Sequence, residues 1–188
     1  MTDRTVWKVG DMAALPARLH PRASASGENA RCIVGVGQKM YLTYRETITW
    51  LEGLLKRAGD LSGVDLFVLP SFPALDRAHA LLAGRGIFLG AQDLYWQDRG
   101  AFTGEVSPLS LAELGCTFVE IGHAERRRLF GETDETVRLK TAAALAHQLV
   151  PIICVGDWTC SHNRLHPLFP EHLANHSILN EMPTILLT

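Results

Sequence analysis

Three short segments of this 188-residue chain put reactive side chains beside glycines, each just after an apolar run. They are Gly37-Gln38-Lys39-Met40, Gly90-Ala91-Gln92-Asp93 with a following Gly100-Ala-Phe-Thr-Gly-Glu105, and Glu120-Ile-Gly-His-Ala-Glu-Arg-Arg127. His123 follows Gly122 where a new helical turn would begin. A helix N-terminus carries partial positive charge and favours an uncharged ring. A neutral imidazole can donate a hydrogen bond to a carbonyl and polarise it. Lys39 offers a cation that would attract an anionic substrate. Glu125 is placed to pair with Lys39 if the first and fourth apolar runs open onto the same mouth.

The surrounding pattern supplies elements to hold these residues. The run at 32–35 reads as a buried strand, and further strands are expected at 64–69, 87–91, 118–121 and 151–155. Between them lie helix signals. Thr43-Tyr-Arg-Glu46 has the form of a capping box ahead of Ile48, Leu51 and Leu55 at helical spacing. Residues 76–82 read as a helix stopped at Gly84. Ser107-Pro108 supplies an N-cap and a proline at the first helical position, with Gly115 closing that helix. Residues 134–147 read as a helix with Val137, Thr141, Ala144 and Leu145 on its inner face and Asp134 and Glu135 in its first turn. Strand starts recur about every 23–33 residues, the size of a βα unit, which predicts a parallel α/β sheet. In such folds chemistry gathers at the C-terminal ends of the strands. No dinucleotide-binding glycine fingerprint or phosphate-binding P-loop is present.

Composition narrows the classes. Eighteen Lys and Arg stand against 20 Asp and Glu, a net charge of −2 that gives no footprint for nucleic acid. No apolar run reaches the roughly 18–20 residues needed to span a membrane. The four cysteines, Cys32, Cys116, Cys154 and Cys160, are too few for a disulfide scaffold and read as reduced thiols. No secretory pattern opens the chain, so a cytoplasmic protein is expected. Residues 1–30 read as a flexible extension, 31–157 as the folded domain and 158–188 as a tail.

The segments Gly-Ala-Gln-Asp (90–93), Gly-Ala-Phe-Thr-Gly-Glu-Val-Ser (100–107), Ile-Gly-His-Ala-Glu-Arg-Arg (121–127), Phe-Gly-Glu-Thr-Asp-Glu (130–135) and Pro-Ile-Ile-Cys-Val-Gly (151–156) resemble the triosephosphate isomerase family in order and spacing. The resemblance spans about residues 33–157. It implies a (β/α)8 TIM barrel, here incomplete with about five βα units and a non-matching C-terminal tail. It implies an aldose–ketose isomerase, interconverting glyceraldehyde 3-phosphate and dihydroxyacetone phosphate in glycolysis and gluconeogenesis. The family's mechanism, a glutamate base, a neutral histidine electrophile and a closing loop, is a worked example of tuned acid–base chemistry. Carried over by position, His123 resembles the electrophilic histidine and Lys39 the active-site lysine, with Gly37 beside it in the substrate-binding segment. Glu125 resembles the lysine's partner. Thr103 lies in the loop that, in the family, enters the neighbouring subunit of a homodimer. Glu132 lies in a structural segment. The implied partner is a small phosphorylated sugar, with no metal or organic cofactor.

The chain departs from the pattern in places. Gly37-Gln38-Lys39-Met40 stands where the family has Asn-Trp-Lys-Met, and Ala124 where Ser is common. Lys-Met-Tyr and His-Ala-Glu-Arg-Arg resemble a branch acting on four-carbon ketose phosphates such as erythrulose phosphate. After Asp157, 31 residues remain, whereas three more βα units would take roughly 90 at about 30 each. The family's base, a Glu before Pro on strand six, has only a distant echo in Glu181-Met182-Pro183. The expectation is therefore impaired catalysis and self-association through unclosed sheet edges. A non-catalytic remnant or binding protein is the alternative. Cys160, His162, His166, His172 and His176 raise a zinc site as another reading, although Pro167 and Pro170 interrupt the segment.

Overall fold

Hydrophobic residues in the strand segments outnumber polar ones on both faces, as a sheet covered by helices requires. A computed structural model of the chain describes residues 32–59 and 64–155. Five strands, β1 (Cys32–Gly37), β2 (Val64–Leu69), β3 (Ile87–Ala91), β4 (Phe118–Ile121) and β5 (Val150–Ile153), lie in sequence order and pair in parallel. The helices α1 (Tyr44–Arg57), α2 (Leu75–Leu82), α3 (Pro108–Glu113), α4 (Ala124–Phe130) and α5 (Asp134–Ala146) connect them. This is the wall of a partial β/α barrel. The expected 1–30 extension, the 158–188 tail and the cysteine–histidine cluster of that tail lie outside the described residues.

Strand parity sorts the core into two layers. Leu66, Val68, Leu89, Val119 and Ile121 face the helices and pack with Leu51, Leu75 and Leu111. Phe67, Leu69, Phe88, Phe118, Val150 and Ile152 form the opposite, inner layer. There Phe67 stacks on Phe118 at 4.6 Å between ring centroids, and Phe88 meets Phe118 edge-on at 5.6 Å. Gly35 makes room for this layer: a Cβ at that position would sit 2.1 Å from the Phe67 ring.

Local signals placed most helix starts. Thr43 and Glu46 form the capping box of α1, with Glu46 Oε2 accepting from the Thr43 amide at 2.8 Å. Ser107 caps α3 through its bond from the Ser110 amide, with Pro108 at the first helical position. Some details differ from expectation. β5 begins at Val150, because the Val150 amide bonds the Thr117 carbonyl, so Pro151 stands inside the strand. The inner face of α5 consists of Val137, Lys140 and Ala144, whereas Thr141 and Leu145 are only half-buried.

Lys140 is 4% exposed. Its ammonium reaches both carboxylate oxygens of Asp93, at 2.7 and 2.9 Å, and Glu132 at 2.5 Å. Arg126 joins from α4, with Nε 2.6 Å from Asp93 and 3.6 Å from Glu132. Two cations thus face two carboxylates in a nearly dry site, and the cluster ties the loop after β3 to α4 and α5. Lys140→Met strands two buried carboxylates on Arg126 alone. It is expected to cost about 3–5 kcal/mol, because breaking a buried pair leaves uncompensated charge. Urea denaturation would show this as a lowered midpoint, and a loss under about 1 kcal/mol, typical of a surface pair, would contradict it.

Candidate active site

The parallel strands deliver their last residues to one end of the sheet. β1 ends in Gly37, and Lys39 follows in the left-handed region at φ 48°. Gln92, just past β3, holds this turn by donating from Nε2 to the carbonyls of Lys39 and Leu69, each at 2.9 Å. From the end of β4, Gly122 turns the chain at φ 77°; an added Cβ would lie 3.0 Å from Val137 and 3.2 Å from Arg127. Arg127 Nε donates to the Gly122 carbonyl at 2.9 Å and its guanidinium pairs with Asp134, which fixes the turn from the other side.

That turn presents His123 as the N-cap of α4. Its Nδ1 accepts from the Glu125 amide at 3.1 Å. With Nδ1 accepting, the ring hydrogen sits on Nε2, available to donate. Glu125, two residues further into the helix, receives the Lys39 ammonium at 2.6 Å. The structure therefore brings together Lys39, His123 and Glu125 from β1 and β4, as the spacing anticipated.

The Lys39–Glu125 pair shifts both partners. The hydrogen bond from Lys39 lowers the Glu125 carboxyl below the usual glutamate range, and the bond to Glu125 raises Lys39 above the usual lysine range. Its contribution is present above the ordinary glutamate pKa and below the ordinary lysine pKa. It is lost in acid as pH falls through the lowered Glu125 value, and in alkali as pH rises through the raised Lys39 value. Both side chains are more than a third exposed, so water screens the attraction.

Among the described residues, a Cβ at Gly37 would meet nothing within 4 Å. Thr103 is exposed in the loop between β3 and α3. In that loop Tyr95 stacks on Trp96 at 4.0 Å and packs against Phe102 at 4.6 Å, and the Tyr95 amide donates to the Val106 carbonyl at 2.8 Å. Glu132 is buried in the Lys140 cluster, away from the mouth.

Sequence reasoning missed the positioning roles of Gln92, Asp93, Arg126 and Lys140. Lys140 had a legible signal, since it lies three residues after Val137 and four before Ala144 on the face that packs inward. Cys116 and Cys154 are free thiols, both pushed up to about 12 chiefly by burial, so neither is a thiolate nucleophile near neutral pH. Among the described residues, no three His, Cys, Asp or Glu side chains gather as a metal site, and no helix is long and apolar enough to cross a membrane.

A model of the triosephosphate isomerase family matches residues 32–166, running past Asp157 where the motif resemblance stops. The L-erythrulose-1-phosphate isomerase of Pectobacterium atrosepticum is 50% identical over 129 residues, covering 66% of this chain and 50% of its own. The triosephosphate isomerase of Roseiflexus sp. strain RS-1 is 51% identical over 119 residues, 63% of this chain and 47% of its own. That of Thermoanaerobacter pseudethanolicus is 44% identical over 127 residues, 68% and 51% of the two chains. The chain spans about half the length of the curated relatives it matches.

Removal of the Lys39 ammonium frees Glu125. In Lys39→Met the Glu125 carboxyl is expected to titrate higher than in the wild-type chain, back toward the ordinary glutamate range. Carbon-13 NMR of labelled glutamate carboxyls reads this directly; an unmoved Glu125 titration would mean that the contact does not hold in solution.

Proposed function

The chain belongs to the triosephosphate isomerase family, and from that premise we propose that it carries the carbonyl-polarising half of an aldose–ketose isomerase site for small sugar phosphates. The observation that carries this reading is the His123 ring, with Nδ1 occupied by its own helix and Nε2–H left to donate, beside the Lys39 cation. His123 donates from Nε2 to the substrate carbonyl and draws electron density onto its oxygen. That makes the α-proton more acidic. A base takes this proton, the C–H electron pair becomes the enediolate double bond and the carbonyl π pair moves onto its oxygen; the hydroxyl proton then passes between the two oxygens as the carbon proton returns to the neighbouring carbon. Lys39 offsets the charge that gathers on the oxygens. The family resemblance assigns the base to a sixth strand, beyond the five strands described.

The substrates follow from the relatives. Curated proteins similar to this chain are named for triose phosphate and for L-erythrulose 1-phosphate. Glyceraldehyde 3-phosphate and dihydroxyacetone phosphate form the first pair to assay, with the four-carbon ketose phosphate as the alternative. The site roles of His123, Lys39, Gly37, Glu125 and Thr103, the cytoplasmic setting and a homodimer belong to the same proposal. Met40 and Tyr41, 93% and 82% exposed immediately after Lys39, support a covered surface there in an assembly.

The test is isomerase turnover of both sugar phosphates by the purified chain and by His123→Gln. The account expects a drop in kcat/KM of at least about 10²-fold in the variant, the scale of general acid–base effects. Turnover that is the same in both proteins would trace to a contaminant and overturn the reading.

A further inference from the structure

The helix that carries His123 is not held by apolar packing. α4 runs for seven residues, and none of them is buried. Polar contacts therefore set its place. Arg127 reaches the Gly122 carbonyl and Asp134, which flank the helix in sequence and move with it. Glu125 reaches Lys39, but both side chains are more than a third exposed and water screens them. Arg126 makes a different kind of contact. Its Nε lies 2.6 Å from Oδ2 of Asp93, a residue from the far side of α3 in the chain and only 5% exposed. Glu132, 3.6 Å from the same nitrogen, follows in the loop that leaves the helix.

Asp93 is itself pinned. Lys140 holds both of its oxygens, at 2.7 and 2.9 Å, so the carboxylate cannot turn away from Arg126 without disturbing a buried ammonium. The residue before it is Gln92, whose amide donates to the carbonyls of Lys39 and Leu69. Two consecutive residues past β3 thus grip the two halves of the mouth. Gln92 takes the turn of Lys39, and Asp93 takes the helix of His123. Neighbouring Cα atoms stand about 3.8 Å apart across a trans peptide, so the two grips cannot drift independently. Lys39 and Glu125, 86 residues apart, close this ring of contacts at 2.6 Å.

We infer that Asp93 is a positioning residue for the isomerase reaction: through Arg126 it sets where His123 stands relative to Lys39. This deepens the proposed function and rests on it.

The test compares the full chain with Arg126→Met, Asp93→Asn and the double variant. Carbon-13 titration of the Glu125 carboxyl reads the position of α4. That carboxyl is lowered chiefly by Lys39, then by His123 and Arg128, so the loss of Arg126 acts on it by moving the helix. Each single variant is expected to raise the Glu125 titration toward the ordinary glutamate range. The double variant should raise it no further, since the two residues act as one contact. In turnover of the sugar phosphates, kcat should fall about tenfold or more while KM stays within about threefold, the pattern of a misplaced catalytic group. A merely structural carboxylate would lower the melting temperature of Asp93→Asn and leave the Glu125 titration and kcat alone; that result overturns the inference and leaves the isomerase reading standing. Should Asp93→Asn fail to fold, Arg126→Met decides, because its side chain is 30% exposed and Lys140 still pairs with both carboxylates. An unmoved Glu125 titration in that variant overturns the inference. If the wild-type chain turns over neither sugar phosphate, the isomerase reading fails and the positioning role fails with it.

Discussion

A buried ammonium is the constraint on which the mouth of this sheet depends. Lys140 comes from the inner face of α5 and meets Asp93 from the loop after β3 and Glu132 from the loop before α5. Arg126 closes the cluster from α4. Charges taken out of water hold one another strongly only when geometry is tight and each is matched. That requirement fixes where α4 can lie relative to β3. Glu125 precedes Arg126 in the same helix, and His123 caps it, so His123 and the partner of Lys39 inherit their positions from that cluster.

The second level of control is the parity of the strands. Each strand sends alternate residues to the helices and to the inner layer, so one face makes the core while the other makes a floor of Phe67, Phe88 and Phe118. Apolar rings below and polar groups above divide the inner face into a dry base and a reactive mouth. Gln92 joins the two levels: its amide holds the turn that carries Lys39 and the end of β2 together. Capping then orients the His123 ring, since the first amides of α4 need acceptors and Nδ1 supplies one.

Much of this was legible in the residues. The spans of β2, β3 and β4 match the apolar runs, and the caps at Thr43 and Ser107 announced α1 and α3. The pairing of Lys39 with Glu125 followed once β1 and β4 were placed on one sheet with a common C-terminal end. The less legible features depend on tertiary contact. Whether Lys140 is a solvated lysine or a buried ion cannot be decided from α5 alone, because its partners lie 47 residues away and in the preceding loop. The start of β5 followed a ladder bond from Val150 to Thr117 that outweighed the usual boundary at Pro151. Glu120 broke the apolar pattern of β4 without revealing which face it occupied; strand register supplied that.

The claim at the centre of the account is that a neutral His123 polarises a bound carbonyl, whatever supplies the base. Infrared spectroscopy of dihydroxyacetone phosphate bound to the chain measures this directly through the carbonyl stretch. The account predicts a band at lower frequency than in free ligand for the wild-type chain, and a return toward the free value in His123→Gln. A bound ligand whose carbonyl band is unshifted in the wild type, or equally shifted in the variant, would contradict it.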